Sequence, residues 1–211
     1  MFLDVVGYSA MMATDEQHAI SVVREFEEIV RAQSTAAGGR LVKFLGDGSM
    51  IEFPTSRAAV ACALGIQSAI GARIDDSHPR GRFQVRIGIH VGDLLERAGD
   101  LFGDSVNVAA RIQPLADPGG LALSGQVYDQ VRNHLPLRGV RQRGVRLKNI
   151  PIPLDVFLMR PAGTPYLAWT IKKRRRMLTL SAAGTALAVL VAVLGWFSLH
   201  RDVAINLAPT G

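Results

Sequence analysis

Cysteine is almost missing from this chain: Cys62 is the single one in 211 residues. An intrachain disulfide is excluded, which suits a reducing compartment. Cys62 lies on an apolar helical pattern, the setting of a buried, inert thiol. No Cys/His spacing of the zinc-binding kind occurs either. Lysine is scarce as well. Only Lys43 and Lys148 precede residue 172, against sixteen arginines in residues 1–160. A chain that otherwise uses Arg has placed a compact point charge at these two positions. Residues 1–160 also lack a charge excess, with 18 Lys+Arg against 17 Asp+Glu. The net charge of +6 comes mostly from residues 161–211, which hold six Lys+Arg and one Asp. A broad nucleic-acid face is thereby excluded, and nucleic acid is not an expected partner. Residues 1–160 contain no internal repeat and no low-complexity stretch.

The tail holds the one long hydrophobic run. Met177 to Leu199 is 23 residues without a charge, rich in Ala, Leu and Val. About 20 apolar residues cross a bilayer as a helix, and a soluble helix of that length is rarely apolar all round. The run follows a whole domain, so it is not a signal peptide. Lys172 to Arg176, five consecutive basic residues, flank its near end. The positive-inside rule then puts residues 1–176 on the cytoplasmic side of the cell's inner (plasma) membrane and 200–211 beyond it. Four parts are expected: a domain over 1–160, a Pro/Gly linker and basic juxtamembrane segment over 161–176, a transmembrane helix over 177–199, and a short tail over 200–211.

Periodicity organises the domain. Residues 2–6 read as a buried strand. Thr14 or Asp15 opens a helix to about Ala36, with Val22, Val23, Phe26, Ile29 and Val30 on its apolar face. Gly38-Gly39 ends it. Residues 40–45 and 49–53 read as a hairpin, and 56–72 as a helix with Ala59, Cys62, Ala63, Ile66 and Ile70 inward. Phe83, Val85, Ile87, Ile89 and Val91 alternate as a strand does, which turns Arg86, Gly88 and His90 to the opposite face. His90 reads there as a structural or interface residue. Residues 93–97 are expected to pair back as a short strand. A helix near 104–115, a strand at 120–123, a helix at 124–132 and strands near 138–143 and 153–158 complete the order. The fold class expected is α+β: a ferredoxin-like (split βαβ) mixed sheet with helices on one face.

Two carboxylates lie near strand ends, Asp4 before the Gly7 turn and Asp47 in Gly46-Asp47-Gly48. Brought together on adjacent strands, they suit hard divalent cations, which take oxygen ligands together with substrate phosphates. Gly-Asp-Gly also serves as a plain tight turn, and the fragment alone does not separate the two readings. Farther on, Asn107 and Arg111 are four apart in a helical stretch and so share a face. They suit either a surface pair or a clamp on a sugar and a phosphate. Lys148 leads into the last strand.

These segments resemble the class III nucleotidyl cyclase catalytic domain, particularly bacterial adenylate cyclases. The resemblance runs in order through Asp4–Ser9, Gly38–Gly48, Val85–Asp93, Asp100–Ile112, Pro118–Val131 and Leu147–Phe157. It implies that Asp4 and Asp47 bind two divalent cations, Mg²⁺ or Mn²⁺, with the Val5 carbonyl completing one site. Lys43 and Asp100 would read the adenine edge, where guanylate cyclases typically carry Glu and Cys. Asn107 would orient the ribose, Arg111 would stabilise the transition-state phosphate, and Lys148 would bind the triphosphate. The implied activity is conversion of ATP to cyclic AMP at a homodimer interface, one subunit supplying the aspartates and the other the remaining residues. A non-catalytic nucleotide-binding or interaction module of the same fold is the competing expectation. A diguanylate cyclase is disfavoured, because no Gly-Gly-Asp/Glu-Glu-Phe run occurs. Only Met1-Phe2-Leu3 precede Asp4, where the family's first strand begins several residues earlier: either the start is misassigned or the strand is short, and a weakened strand would loosen the first metal ligand.

Overall fold

The computed structural model describes residues 1–73, 83–134 and 139–159. The linker, basic segment and transmembrane helix expected after residue 160 lie outside the described residues. Among the described residues, no helix is long and apolar enough to cross a membrane.

Strand β1 (Phe2–Val5) buries Leu3 and Val5 and leaves Asp4 on the other face. Gly7, at φ 76°, turns the chain into helix α1 (Tyr8–Thr14), a left-handed geometry that glycine adopts freely. Helix α2 (Glu16–Ala36) is capped by Asp15, which accepts from the His18 N–H at 3.0 Å. It buries Val22, Phe26, Ile29 and Val30, as the periodicity predicts, while Val23 is half-buried. Strands β2 (Arg40–Leu45) and β3 (Gly48–Glu52) form the expected hairpin. Helix α3 (Ser56–Ala72), capped by Thr55, buries all five of the residues its pattern assigns inward. Then follow β4 (Val85–Ile89), β5 (Leu95–Arg97), β6 (Asp100–Phe102), α4 (Asp104–Ile112), a 3-10 turn (Gln113–Leu115), β7 (Leu121–Ser124), α5 (Gly125–Val131), β8 (Gly139–Val145) and β9 (Leu154–Met159).

Seven strands form one mixed sheet in the order β2-β3-β1-β4-β7-β9-β8. β4 and β7 are parallel, and the other pairs are antiparallel. β1 has only four residues but is paired on both sides, with β3 and with β4. The Val5 N–H reaches the Asp47 carbonyl at 2.9 Å. The first strand is short, yet Asp4 stands on backbone fixed from both neighbours.

Two expectations need correction, and one helix was not expected. The helices cover both faces of the sheet. Residues of α2, α3 and α5 pack with Leu3, Val5, Val85, Ile87 and Leu123 in the main core, while Val108 and Ile112 of α4 pack with Ala122, Val156 and Leu158 on the other side. The cause lies at Gly88: a Cβ there would sit 2.6 Å from the Ala109 carbonyl oxygen and from the Gln113 Cα, so its absence lets α4 and the turn lie against β4. Residues 95–97 pair with β6 in a separate two-stranded sheet and not with β4. Helix α1 had no sequence signal, since none of its residues is buried.

Candidate functional site

Register places the first group. Asp4 lies opposite Gly48 on β3 and opposite Arg86 on β4, and directly opposed residues share a face. Arg86 therefore meets Asp4: its Nη2 donates to Asp4 Oδ2 at 2.8 Å and its Nε to Oδ1 at 3.2 Å. Gln113 Nε2 donates to Asp4 Oδ1 at 2.6 Å. Asp47 occupies the β2–β3 turn next to Gly46, whose φ is 68°. Burial raises the Asp47 carboxyl above its ordinary range; the nearby Asp4 charge acts in the same direction, and Arg86 opposes it. Two carboxylates thus share one small region, and the Asp4 charge disfavours ionisation of Asp47.

That donor set fits a divalent cation. Asp4, Asp47 and the Val5 carbonyl offer oxygen only, and the positive group already on Asp4 is the Arg86 guanidinium, which stands where a cation's charge would. Among the described residues, no group of three or more His, Cys, Asp or Glu gathers to cage an ion. The set therefore suits a metal that keeps waters and shares substrate phosphates, as Mg²⁺ does.

The second group centres on Lys43 and Asp100. They come from β2 and β6 and meet with Lys43 Nζ 2.5 Å from Asp100 Oδ2. Asp100 Oδ1 accepts the Leu101 N–H at 2.9 Å. The Lys43 hydrogen bond, reinforced by that N–H, holds the Asp100 carboxyl below its ordinary range. Both side chains remain about a third exposed, at 39% and 32%, so a ligand can reach them. Lys43 keeps two further N–H donors and Asp100 keeps free lone pairs. Arg40 ties the hairpin of β5 and β6 to this edge, pairing with Glu52 at 2.7 Å and with Glu96 at 3.1 Å.

Asn107 and Arg111 lie on the exposed side of α4, as their spacing predicts, and neither bonds another described side chain. Lys148 is exposed in the turn before β9, next to Asn149 at φ 62°. The structure therefore joins Lys43 to Asp100 and sets Asp47 beside Asp4, while Asn107, Arg111 and Lys148 stand free of both groups. A cavity of about 100 Å³, lined by Phe2, Phe53, His90, Leu101 and Val106 among others, contains none of the eight candidate residues. The candidate polar side chains lie outside it, half-buried at Asp4 and Asp47 and exposed at Asn107, Arg111 and Lys148. Arg86 and Gln113 are the two residues of this region that the sequence did not single out. Arg86 carried a weak signal, as a charge on the non-core side of a strand; Gln113 carried none.

The profile described as the adenylate and guanylate cyclase catalytic domain matches residues 1–148. A protein named putative adenylate cyclase 3, from Rhizobium meliloti, is 36% identical over 160 residues, covering 75% of this chain and 27% of that protein. An adenylate cyclase of Glutamicibacter nicotianae is 32% identical over 133 residues, covering 63% of this chain and 32% of that protein. The chain thus spans about a third or less of the length of these curated relatives. The crystal structure of an adenylate/guanylate cyclase/hydrolase from Silicibacter pomeroyi superposes with a TM-score of 0.70 at 34% identity, covering 76% of this chain and 95% of that one.

Proposed function

The chain belongs to the adenylate and guanylate cyclase catalytic-domain family, and on that premise we propose that it converts ATP to 3′,5′-cyclic AMP and pyrophosphate. The observation that carries the choice of ATP is the Lys43–Asp100 pair at 2.5 Å. A Lys donor and an Asp acceptor side by side complement the adenine edge, which offers the N1 acceptor and the N6 amine donor. Guanine presents an acceptor where Asp100 would need a donor, so its O6 would face a carboxylate. The names of two relatives, one a putative adenylate cyclase and the other an adenylate cyclase, agree with this reading.

In the reaction the ribose 3′-hydroxyl attacks the α-phosphorus and pyrophosphate leaves. Two divalent cations, Mg²⁺ or Mn²⁺, held by Asp4, Asp47 and the Val5 carbonyl, would supply activation of the hydroxyl and charge neutralisation on the triphosphate. Asn107 orients the ribose. Arg111, four residues on along the same helical face, meets the charge that builds on the phosphoryl oxygens. Lys148 binds the triphosphate as a point charge. Arg86, released from Asp4, keeps a planar fork of donors suited to phosphate oxygens. Every chain carries both sets of residues in separate segments, with both sets partly exposed, which supports a homodimer in which each site combines the aspartates of one subunit with Lys43, Asp100, Asn107, Arg111 and Lys148 of the other. The uncharged run over 177–199 and its basic flank support a tether to the inner membrane, with the catalytic domain in the cytoplasm.

The test is incubation of the purified full chain with ATP or GTP and Mn²⁺ or Mg²⁺, followed by product identification. Metal-dependent cyclic AMP is expected. Cyclic GMP alone would refute the base assignment, and no product from either nucleotide would favour a non-catalytic nucleotide-binding module.

A further inference from the structure

Gln113 opens the 3-10 turn after α4 and is polar, yet only 7% exposed. A buried amide needs partners. Its Nε2 donates to Asp4 Oδ1 at 2.6 Å and to the Arg86 carbonyl at 3.3 Å. The first of these bonds joins residues 109 apart in sequence. It depends on close approach at Gly88, where a Cβ would lie 2.6 Å from both Cα and Cβ of Gln113.

Asp4 therefore receives three donors of two kinds. Oδ1 accepts from Gln113 Nε2 and Arg86 Nε, and Oδ2 accepts from Arg86 Nη2. The guanidinium carries a full positive charge, so a cation arriving at Oδ2 repels it and must replace it. The amide is neutral and already satisfied at Oδ1, and nothing in its charge opposes the cation. Of the two side chains that hold the carboxylate, only Gln113 is able to stay while the metal enters.

We propose that Gln113 is a positioning residue for Asp4: it keeps Oδ1 engaged and the carboxylate orientation fixed while Oδ2 passes from Arg86 to a divalent cation. The inference rests on the reading of Asp4 as a metal ligand. Hydrogen bonds to ligating groups typically change metal affinity by about 10–100-fold, and the same range is expected here. The placement has a second consequence. Arg111 leaves α4 on its exposed side and Gln113 leaves the following turn on its buried side, so one short segment serves the phosphate clamp of one site and the metal ligand of the other.

The experiment measures Mn²⁺ binding to the full chain through the paramagnetic resonance of the free ion, with thermal unfolding of the metal-free protein as a folding control. Gln113→Met keeps the side-chain volume and removes the donor. Its Mn²⁺ dissociation constant is expected to rise about 10–100-fold, the KM for Mn²⁺ to rise in parallel, and kcat at saturating Mn²⁺ to change little. A residue that only supported the fold would lower stability and kcat without that split. Gln113→Asn withdraws the amide by one carbon and should weaken Mn²⁺ binding in the same direction, which keeps the test decisive if the Met variant does not fold. Wild-type Mn²⁺ affinity in either folded variant overturns the proposal. Asp4→Asn is the control on the premise. Wild-type affinity there overturns the assignment of Asp4 as a ligand, and this inference with it, whereas loss of binding in Asp4→Asn with none in the Gln113 variants refutes the positioning role alone.

Discussion

Asp47 carries a conflict that the protein's own side chains do not resolve. Burial first and the neighbouring Asp4 after it raise its carboxyl, and a backbone N–H and Arg86 compensate only in part. A carboxyl raised on folding favours the folded state most when protonated, and that contribution is lost as pH rises through the folded value. At neutral pH the ionised group therefore weakens the metal-free fold. Asp47→Asn is accordingly expected to abolish cyclisation while the metal-free chain unfolds at the same temperature as wild type or higher; a clear fall in its melting temperature would contradict this account. The proposed base-reading pair, Lys43 and Asp100, leads to a second residue-scale prediction. Lys43→Glu with Asp100→Cys should move the kcat/KM ratio from ATP towards GTP, each contact contributing roughly 1–3 kcal/mol by analogy with base-edge readout. An unchanged ratio would place base recognition elsewhere. Both residues could be named from sequence because local motifs carry them. Arg86 and Gln113 could not, because their importance comes from contact with Asp4, through strand register in one case and a 109-residue separation in the other.

Elements differed in legibility according to what they bury. Helices α2 and α3 present continuous apolar faces, and their spans follow from the 3.6 periodicity and the Asp15 and Thr55 caps. Helix α1 has no fully buried residue, only Tyr8 and Met11 packed half-buried on the core, and is invisible to that reasoning. β5 is exposed throughout, so no alternation marked β6 as its partner. The edge strand β8 illustrates how such an element is secured without a core of its own. Its ladder with β9 is irregular between Gln142 and Val145, where Gly144 takes φ 58°. Asp155 on β9 spans the irregularity: Arg141 Nε donates to its Oδ2 at 3.0 Å and the Gly144 N–H to its Oδ1 at 2.9 Å. The Arg141 hydrogen bond chiefly, and that N–H after it, hold the carboxyl below its ordinary range. Stabilisation of this kind is complete above the ordinary carboxylate pKa and is lost as pH falls through the lowered folded value. Asp155→Ala should therefore speed amide exchange over residues 139–145 at neutral pH while α2 and α3 exchange as before. The effect should be modest, since exposed pairs contribute little, and it should shrink in strong acid, where the wild-type carboxyl is also protonated. Equal protection of β8 in both proteins at neutral pH would show that Asp155 does not hold the strand.

At the scale of the whole molecule, charge and hydropathy divide the chain into a nearly neutral domain and a basic, apolar tail, a division read from sequence alone. A single tether per chain would concentrate catalytic domains in a plane and favour their pairing. Two-fold pairing has a quantitative consequence when both halves of a site reside on every chain. On the proposed function, Asp47→Asn would remove a metal ligand from both sites of its homodimer, and Arg111→Ala would remove the phosphate clamp from both sites of its own. Each variant alone should be inactive, with the loss of one transition-state donor such as Arg111 costing about 10²–10³ in rate. In a mixed dimer one site collects both defects and the other collects neither. Random pairing of equal amounts makes about half of the dimers mixed, each with one intact site of two, so roughly a quarter of wild-type activity should return. The measurement is cyclic AMP formation by the two variants separately and after co-expression, with heterodimers verified by differential tags. Recovery near zero in a sample shown to contain heterodimers would mean that Asp47 and Arg111 act within one subunit.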